Sequence, residues 1–187
     1  MTLRHYIENY QPYTSKEASD KALILKCMDT YADVLTRDNS ACHFTASCWI
    51  TNKARNKILM VHHNIYKSWS WIGGHADGEA DLYEVALREA KEETGICELH
   101  PLYDGIFALE VLQVASHMKK GKLVSEHLHL DCCYLFEADE AQALRCKENE
   151  NSGVKWVDID AVEDISNEEQ IKPIYAKLNK KLRELEG

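Results

Sequence analysis

Three glutamates are the residues best suited to chemistry in this sequence, because they are clustered at the spacing of a helix. Glu89, Glu92 and Glu93 occupy positions i, i+3 and i+4, which places their carboxylates on one helix face. Like charges at this spacing repel, so a solvated acidic face paired with Arg88 and Lys91 is one interpretation. Clustered carboxylates are also the ligands that hard cations such as Mg²⁺ require, which is the second interpretation.

Glycines before these glutamates favour the metal interpretation. Gly73 and Gly74 precede a loop that contains Gly78, and a loop carbonyl can add an oxygen ligand to the carboxylates. We expect the helix to begin near Ala80 and to end at Gly95 in a left-handed cap. The opposite, apolar face should pack on a sheet. It consists of Leu82, Val85, Ala86 and Ala90.

Residues 73–96 resemble the Nudix box of the Nudix hydrolase superfamily. That box is a glycine, five residues, a glutamate, seven residues and then R-E-U-x-E-E-x-G-U, where U is an apolar residue. The second half is complete here, from Arg88 to Ile96. Counting back from Arg88 makes Gly74 the leading glycine but places Ala80 at the glutamate position. Glu79 lies one residue early, so the junction between loop and helix departs from the family pattern.

The resemblance implies a Nudix hydrolase that uses water and divalent cations to cleave a diphosphate linkage by attack on phosphorus. The implied substrate is a nucleoside diphosphate derivative or a related small phosphate compound. The implied cofactor is Mg²⁺, for which Mn²⁺ can substitute. The implied metal ligands are the carbonyl of Gly74 and the carboxylates of Glu89, Glu92 and Glu93.

The resemblance also implies catalytic roles. Glu89 would bind metal or accept the proton of the attacking water, and Arg88 would orient Glu89 and Glu92. Family members often add a glutamate from a loop shortly before a tryptophan, and here Glu148 and Glu150 precede Trp156. We choose Glu150 because it lies nearer the strand; a solvated loop carboxylate is the alternative.

Candidate substrate-binding residues lie in two further segments. Alternation in the strand from residue 127 places His127 and His129 on one face, where their rings could donate to phosphate or sugar oxygens. Half-exposed packing under a helix is the alternative. Trp71 could stack on a base, with packing or loop anchoring as the alternative. Zinc binding by Cys132 and Cys133 with these histidines is disfavoured, since consecutive strand residues point to opposite faces.

Composition limits the class of partner. The 187 residues carry 22 Lys+Arg against 31 Asp+Glu, a net charge of −9, so a basic surface for a nucleic-acid polymer is not expected. An anionic substrate would need bound cations to reverse the local field. Seven cysteines without a C-x-x-C pair fit reduced thiols, and no apolar run is long enough to span a membrane. These features favour a cytoplasmic protein without a membrane partner.

The alternation of helical and strand patterns predicts an α+β fold. The resemblance makes this an α/β/α sandwich around a mixed β-sheet, with the extra N-terminal helix over residues 15–36. We expect an N-terminal helical extension over residues 1–40 and a Nudix hydrolase domain with a C-terminal helix over residues 41–187.

Two other functions stay open. One is a catalytically inactive Nudix-fold module that binds a nucleotide as a sensor, and the other is an isomerase that keeps the diphosphate linkage. The carboxylates that the family uses for metal are all present, which favours the hydrolase. The sequence allows a homodimer and contains no feature that decides the assembly.

Overall fold

The computed structural model describes residues 1–119 and 121–185 of the chain, so Lys120, Glu186 and Gly187 of the expected domain lie outside the described residues. The helices are α1 (Leu3–Asn9), α2 (Ser15–Thr30), α3 (Leu82–Thr94), α4 (Val162–Ile165) and α5 (Lys172–Glu184). The strands are β1 (Cys42–Asn52), β2 (Lys57–His63), β3 (Ser68–Ser70), β4 (Ile72–His75), β5 (His100–Pro101), β6 (Ala108–Val114), β7 (His117–Lys119), β8 (Lys122–Val124), β9 (His127–Ala138) and β10 (Asn151–Asp158).

The α+β class with a mixed sheet is confirmed. Eight of the described strands belong to one sheet, and β7 and β8 form a separate hairpin. The expected N-terminal helix is present but ends at Thr30, because Tyr31 has an extended backbone, and α1 is an additional helix that the sequence analysis did not anticipate. By its internal contacts the chain divides into two compact units. The first unit consists of residues 1–47, 73–86 and 103–134. The second unit consists of residues 48–72, 87–102 and 135–185.

The first unit contains α1, α2 and β6, together with the N-terminal parts of β1 and β9. Strands β6 and β9 pair antiparallel, with Leu112 opposite His129. Helix α2 is capped at Thr14, whose side chain accepts a hydrogen bond from the Glu17 amide. Ile7 and Ile24 are fully buried and join α1 and α2 to the core of this unit.

The glycine-rich strand β4 lies against β1 in the same unit. A Cβ atom on Gly73 would lie 2.6 Å from the carbonyl oxygen of Ala46, closer than any side chain allows. Gly73 is therefore required for the close approach of these two backbones. The following loop is held by Arg37, which forms two hydrogen bonds of 2.7 and 2.6 Å with the Asp77 carboxylate.

The second unit contains the β1–β2 hairpin that the sequence predicts, with Thr51 opposite Ile58. Strand β10 pairs antiparallel with β2, and a register shift between Asn151 and Gly153 marks a bulge at its start. Helix α5 buries Tyr175, whose ring lies 5.2 Å from that of the buried Trp49.

Capping residues set both ends of helix α3. Asp81 accepts a hydrogen bond from the Glu84 amide at 3.3 Å, so the helix begins at Leu82, two residues later than expected. Gly95 has a φ of 75°, which confirms the left-handed cap. The apolar face is buried as expected. Leu82, Val85, Ala86 and Ala90 are each at most 1% exposed.

Candidate metal and catalytic site

Three carboxylates of the second unit converge on one point. Glu89 and Glu93 from α3 and Glu150 from the loop before β10 each place a carboxylate oxygen within 4.8 Å of the other two. We call these residues the carboxylate cluster. Three oxygen donors from two segments form the kind of ligand set that Mg²⁺ prefers in proteins.

Local hydrogen bonds hold the carboxylate cluster in place. Glu93 is only 4% exposed and accepts a hydrogen bond from the Asn151 side-chain amide at 3.3 Å. The backbone amides of Glu150 and Asn151 both donate to the carbonyl oxygen of Lys147, at 2.9 and 2.8 Å. This turn fixes Glu150 beside the helix, so the loop glutamate is positioned before any ligand binds.

Lys147 supplies a positive charge at the same place, although the sequence analysis did not select it. Its Nζ lies 2.9 Å from an oxygen of Glu92 and 3.1 Å from an oxygen of Glu150. Burial lowers the pKa of Lys147, but its hydrogen bonds with Glu92 and Glu150, together with the charges of Glu150 and Glu89, raise the pKa overall. The Lys147 ammonium group thus neutralises part of the negative charge of this acidic site.

Glu89 differs from an ordinary surface glutamate in its ionisation. Burial is the largest cause of a raised pKa, and the charges of Glu92 and Glu150 raise it further, whereas Lys147 and Arg88 lower it. A carboxylate with a raised pKa is a stronger proton acceptor when ionised, which is the property of a general base near neutral pH.

Replacing Lys147 by Met should have opposite effects on stability and on metal affinity. Without the ammonium group, Glu92 and Glu150 lose their counter-ion, so the metal-free protein should have a lower Tm. Mg²⁺ should bind several-fold more tightly, because no internal cation competes for the carboxylates. Thermal unfolding with increasing Mg²⁺ measures both effects. Lys53→Met at an exposed site is the matched control, and equal Mg²⁺ responses in both variants would contradict the role of Lys147.

Four histidines of the first unit form a second group. We call His43, His75, His127 and His129 the histidine cluster. The ring centroid of His43 lies 5.2 Å from that of His75, 4.9 Å from that of His127 and 5.0 Å from that of His129. The sequence pointed to His127 and His129 as substrate contacts but missed the other two, which lie on β1 and β4. Substrate contact by His127 and His129 stays a prediction.

The rest of that strand face is not an open polar cleft. Asp131, next along the face, is 2% exposed and accepts hydrogen bonds from the hydroxyls of Thr45 and Ser47, at 2.7 and 2.5 Å. Cys133 is fully buried. Asp131 thus joins β1 to β9 by buried hydrogen bonds and does not face an open cleft.

The histidine cluster should make stability sensitive to acid. Burial and the neighbouring histidines lower the pKa of His129 to about 2, and burial lowers that of His43. Below pH of about 6.5 the unfolded chain binds protons that the folded chain does not, so the free energy of unfolding should fall by up to about 1.4 kcal/mol per pH unit per histidine.

Urea unfolding between pH 7.5 and 5.5, with chelator present, measures this slope. His129→Gln should flatten it, and His100→Gln at an exposed position should not. A slope that is unchanged in His129→Gln would contradict the assignment.

Comparison with known family models assigns the chain to a family. The model of the NUDIX domain matches residues 42–178, which is most of the chain. The chain belongs to the Nudix hydrolase family. The comparison with curated protein sequences gives no significant match.

Solved structures of Nudix proteins share the fold. A NUDIX-family hydrolase from Clostridium perfringens is 22% identical, with a TM-score of 0.54 over 75% of this chain and 97% of that one. An Ap4A hydrolase from C. elegans is 20% identical, with a TM-score of 0.55 over 74% and 98%. An E. coli dihydroneopterin triphosphate pyrophosphohydrolase is 15% identical, with a TM-score of 0.54 over 72% and 92%. At these identities the likeness establishes the fold.

The other residues that the sequence suggested for the site differ in burial and in hydrogen-bond partners. Gly74 is half-buried in β4, and Arg88 is exposed on α3. Glu92 pairs with Lys147 and lies outside the carboxylate cluster. The Trp71 backbone amide donates a hydrogen bond to the Tyr175 hydroxyl at 3.0 Å. The indole ring of Trp71 packs edge-on against the Tyr175 ring. These two contacts anchor the indole in the second unit.

The loop before α3 forms a tight turn at the position where Glu79 departs from the Nudix pattern. Asp77 and Gly78 have φ values of 48° and 96°, and the Glu79 amide donates to the Ala76 carbonyl at 2.9 Å. This tight turn places Glu79 before the helix begins.

In the described part of the Nudix chain, no helix is both long and apolar enough to cross a membrane.

Proposed function

We propose that this Nudix protein hydrolyses a diphosphate linkage in a nucleoside diphosphate derivative, with Mg²⁺ as its cofactor. The convergence of Glu89, Glu93 and Glu150 to within 4.8 Å is the observation that carries the proposal. The ion pairs of Lys147 with Glu150 and Glu92 support the proposal, because they place one positive charge beside these carboxylates. The residues present therefore fit the oxygen-donor chemistry of Mg²⁺.

Each carboxylate has a proposed role. Glu93 and Glu150 would hold Mg²⁺, whereas Glu92 would stay paired with Lys147. When bound, the cation neutralises phosphate oxygens and lowers the pKa of water. Arg88, beside Glu89 in the sequence, is a positioning residue for Glu89 and Glu92.

Glu89 is the proposed general base. Its raised pKa favours proton uptake from water, and its carboxylate lies within the carboxylate cluster where that water would be needed. The water oxygen attacks phosphorus, the bond to the bridging oxygen breaks, and the two phosphorylated products separate. Glu150 is the second candidate for the general base, because its carboxylate lies within the same cluster.

Substrate class follows from charge and from the fold relatives. A protein with a net charge of −9 binds a small polyphosphate only where cations reverse the field, as they would beside the carboxylate cluster. Two of the fold relatives are an Ap4A hydrolase and a dihydroneopterin triphosphate pyrophosphohydrolase. We therefore propose a nucleotide or nucleotide-like compound as the substrate.

We also propose that the protein works in the cytoplasm. Its seven cysteines are all free thiols, and five of them are buried as small apolar side chains.

A substrate panel tests the proposed function. Nucleoside triphosphates, nucleotide sugars and dinucleoside polyphosphates would be incubated with the protein with and without Mg²⁺, and phosphate or pyrophosphate release measured. We expect Mg²⁺-dependent release from at least one compound. Binding without turnover across the panel would favour the sensor module, and rearranged product without release would favour the isomerase.

A further inference from the structure

Three members of the histidine cluster bring their ring nitrogens close together. His43, His75 and His129 each place one ring nitrogen within 4.8 Å of those of the other two. They come from β1, β4 and β9 of the first unit. All three belong to the first unit, whereas the carboxylate cluster belongs to the second.

His43 has one nitrogen that the protein leaves without a hydrogen bond. Its Nδ1 lies 3.1 Å from the Asn39 carbonyl oxygen, and since a carbonyl only accepts, Nδ1 carries the proton. The other nitrogen, Nε2, has no hydrogen-bond partner among the described residues, although His43 is only 4% exposed. A buried lone pair without a partner is costly, whereas a metal ion would satisfy it.

His127 and His129 have the spacing of two ligands of one ion. The Nδ1 of His127 donates to the Ser125 carbonyl oxygen at 2.8 Å, which leaves Nε2 as its lone-pair nitrogen. This Nε2 lies 3.3 Å from Nε2 of His129. In a tetrahedral zinc site with Zn–N bonds of about 2.0–2.1 Å, two ligand nitrogens are about 3.3–3.4 Å apart.

We propose that the histidine cluster is a second metal site, which binds a divalent transition-metal ion of the zinc class through His43, His75 and His129. His127 lies beside this group, with its Nε2 3.3 Å from that of His129. An all-imidazole ligand set suits Zn²⁺ and its neighbours and is unsuited to Mg²⁺ or Ca²⁺, which select oxygen.

The carbonyl hydrogen bonds give this site the outer support that metal-binding histidines have. Asn39 and Ser125 each accept the Nδ1 proton of a histidine and so direct Nε2 towards the cluster. An open cavity of 390 Å³ lies beside His127, lined also by Ala41, Gln113, Glu126 and Leu128.

Zinc titration of the whole protein tests the proposal, with excess Mg²⁺ present to occupy the carboxylate cluster. A Cys97→Ser/Cys146→Ser background removes the two cysteines that are not buried. Calorimetry should give one Zn²⁺ per chain. The Co²⁺ complex should show the visible bands of a nitrogen-ligated ion without sulfur charge transfer.

Matched variants locate the ion. His129→Gln and His75→Gln should each weaken Zn²⁺ binding by more than about 100-fold, since loss of a direct ligand exceeds the loss of an outer-shell partner. His62→Gln on β2, outside the cluster, should bind as the wild type does. Circular dichroism checks that each variant is folded, and histidine-ring ¹⁵N shifts of the wild type on adding Zn²⁺ report the ligands without any mutation.

Three results would overturn the proposal. These are no Zn²⁺ binding by the wild type, unchanged affinity in both cluster variants, or unmoved ring ¹⁵N shifts on saturation. Glu93→Gln separates this site from the proposed function, since it should lose the Mg²⁺ response and keep Zn²⁺ binding.

Discussion

Glu89→Gln should lower turnover by about 10²–10⁴-fold, the range that a general base contributes, with little change in KM. Gln keeps the size of the side chain and its hydrogen-bonding atoms but cannot accept the proton of water. The measurement is steady-state kinetics on the substrate that the panel identifies. Glu84→Gln, on the same helix and exposed, is the matched control and should keep wild-type turnover.

The pH profile separates a general base from a metal ligand. Glu89 must be ionised to accept a proton, so kcat/KM should fall as the pH drops through its pKa, which burial raises above the ordinary value of 4.5. Glu89→Gln should abolish this acidic limb. Recovery of its activity at high Mg²⁺ would instead assign Glu89 as a ligand, and a larger, metal-insensitive loss in Glu150→Gln would assign the base to Glu150.

Glu93→Gln should abolish the stabilisation that Mg²⁺ gives to the folded protein. Glu93 is buried within the carboxylate cluster, whereas the neighbouring Glu92 is exposed and pairs with Lys147. A ligand that binds only the folded state stabilises by RT ln(1 + [L]/Kd), about 2.7 kcal/mol at a hundredfold excess over Kd. Thermal unfolding across a Mg²⁺ series measures the gain.

Glu92→Gln is the control for this prediction, because it removes the same charge one residue away. It should retain most of the Mg²⁺ stabilisation. An equal gain in the wild type and in Glu93→Gln would place the metal elsewhere, and complete loss in Glu92→Gln alone would reverse the assignment of these two residues.

Helical spacing explains why the sequence pointed to helix α3 and still left its ligands undecided. At 3.6 residues per turn, Glu93 is displaced by about 40° from Glu89 around the helix and Glu92 by about 60° in the opposite direction. Glu93 and Glu92 are therefore about 100° apart, and one is buried while the other is exposed. The pattern predicts a shared face, but the surrounding chain decides which of the two carboxylates joins Glu89.

Local sequence patterns could not predict contacts between residues that are distant in the sequence. Lys147 meets Glu92 across 55 positions, and its charge would have suggested only an exposed loop. His43 and His75 join His127 and His129 through pairing of separate strands, which no spacing in the sequence encodes. Strand and helix types were predictable because apolar periodicity is local, whereas α1 is too short to give a clear period.

Incorporation of ¹⁸O from labelled water is the most direct test of the central claim. With Mg²⁺ present, the wild type should convert its substrate to two phosphorylated products, one of which carries a single ¹⁸O on phosphorus. The Glu89→Gln/Glu93→Gln double variant should form almost none. Products without ¹⁸O on phosphorus, or equal product formation by the double variant, would contradict hydrolysis by water attack at the carboxylate cluster.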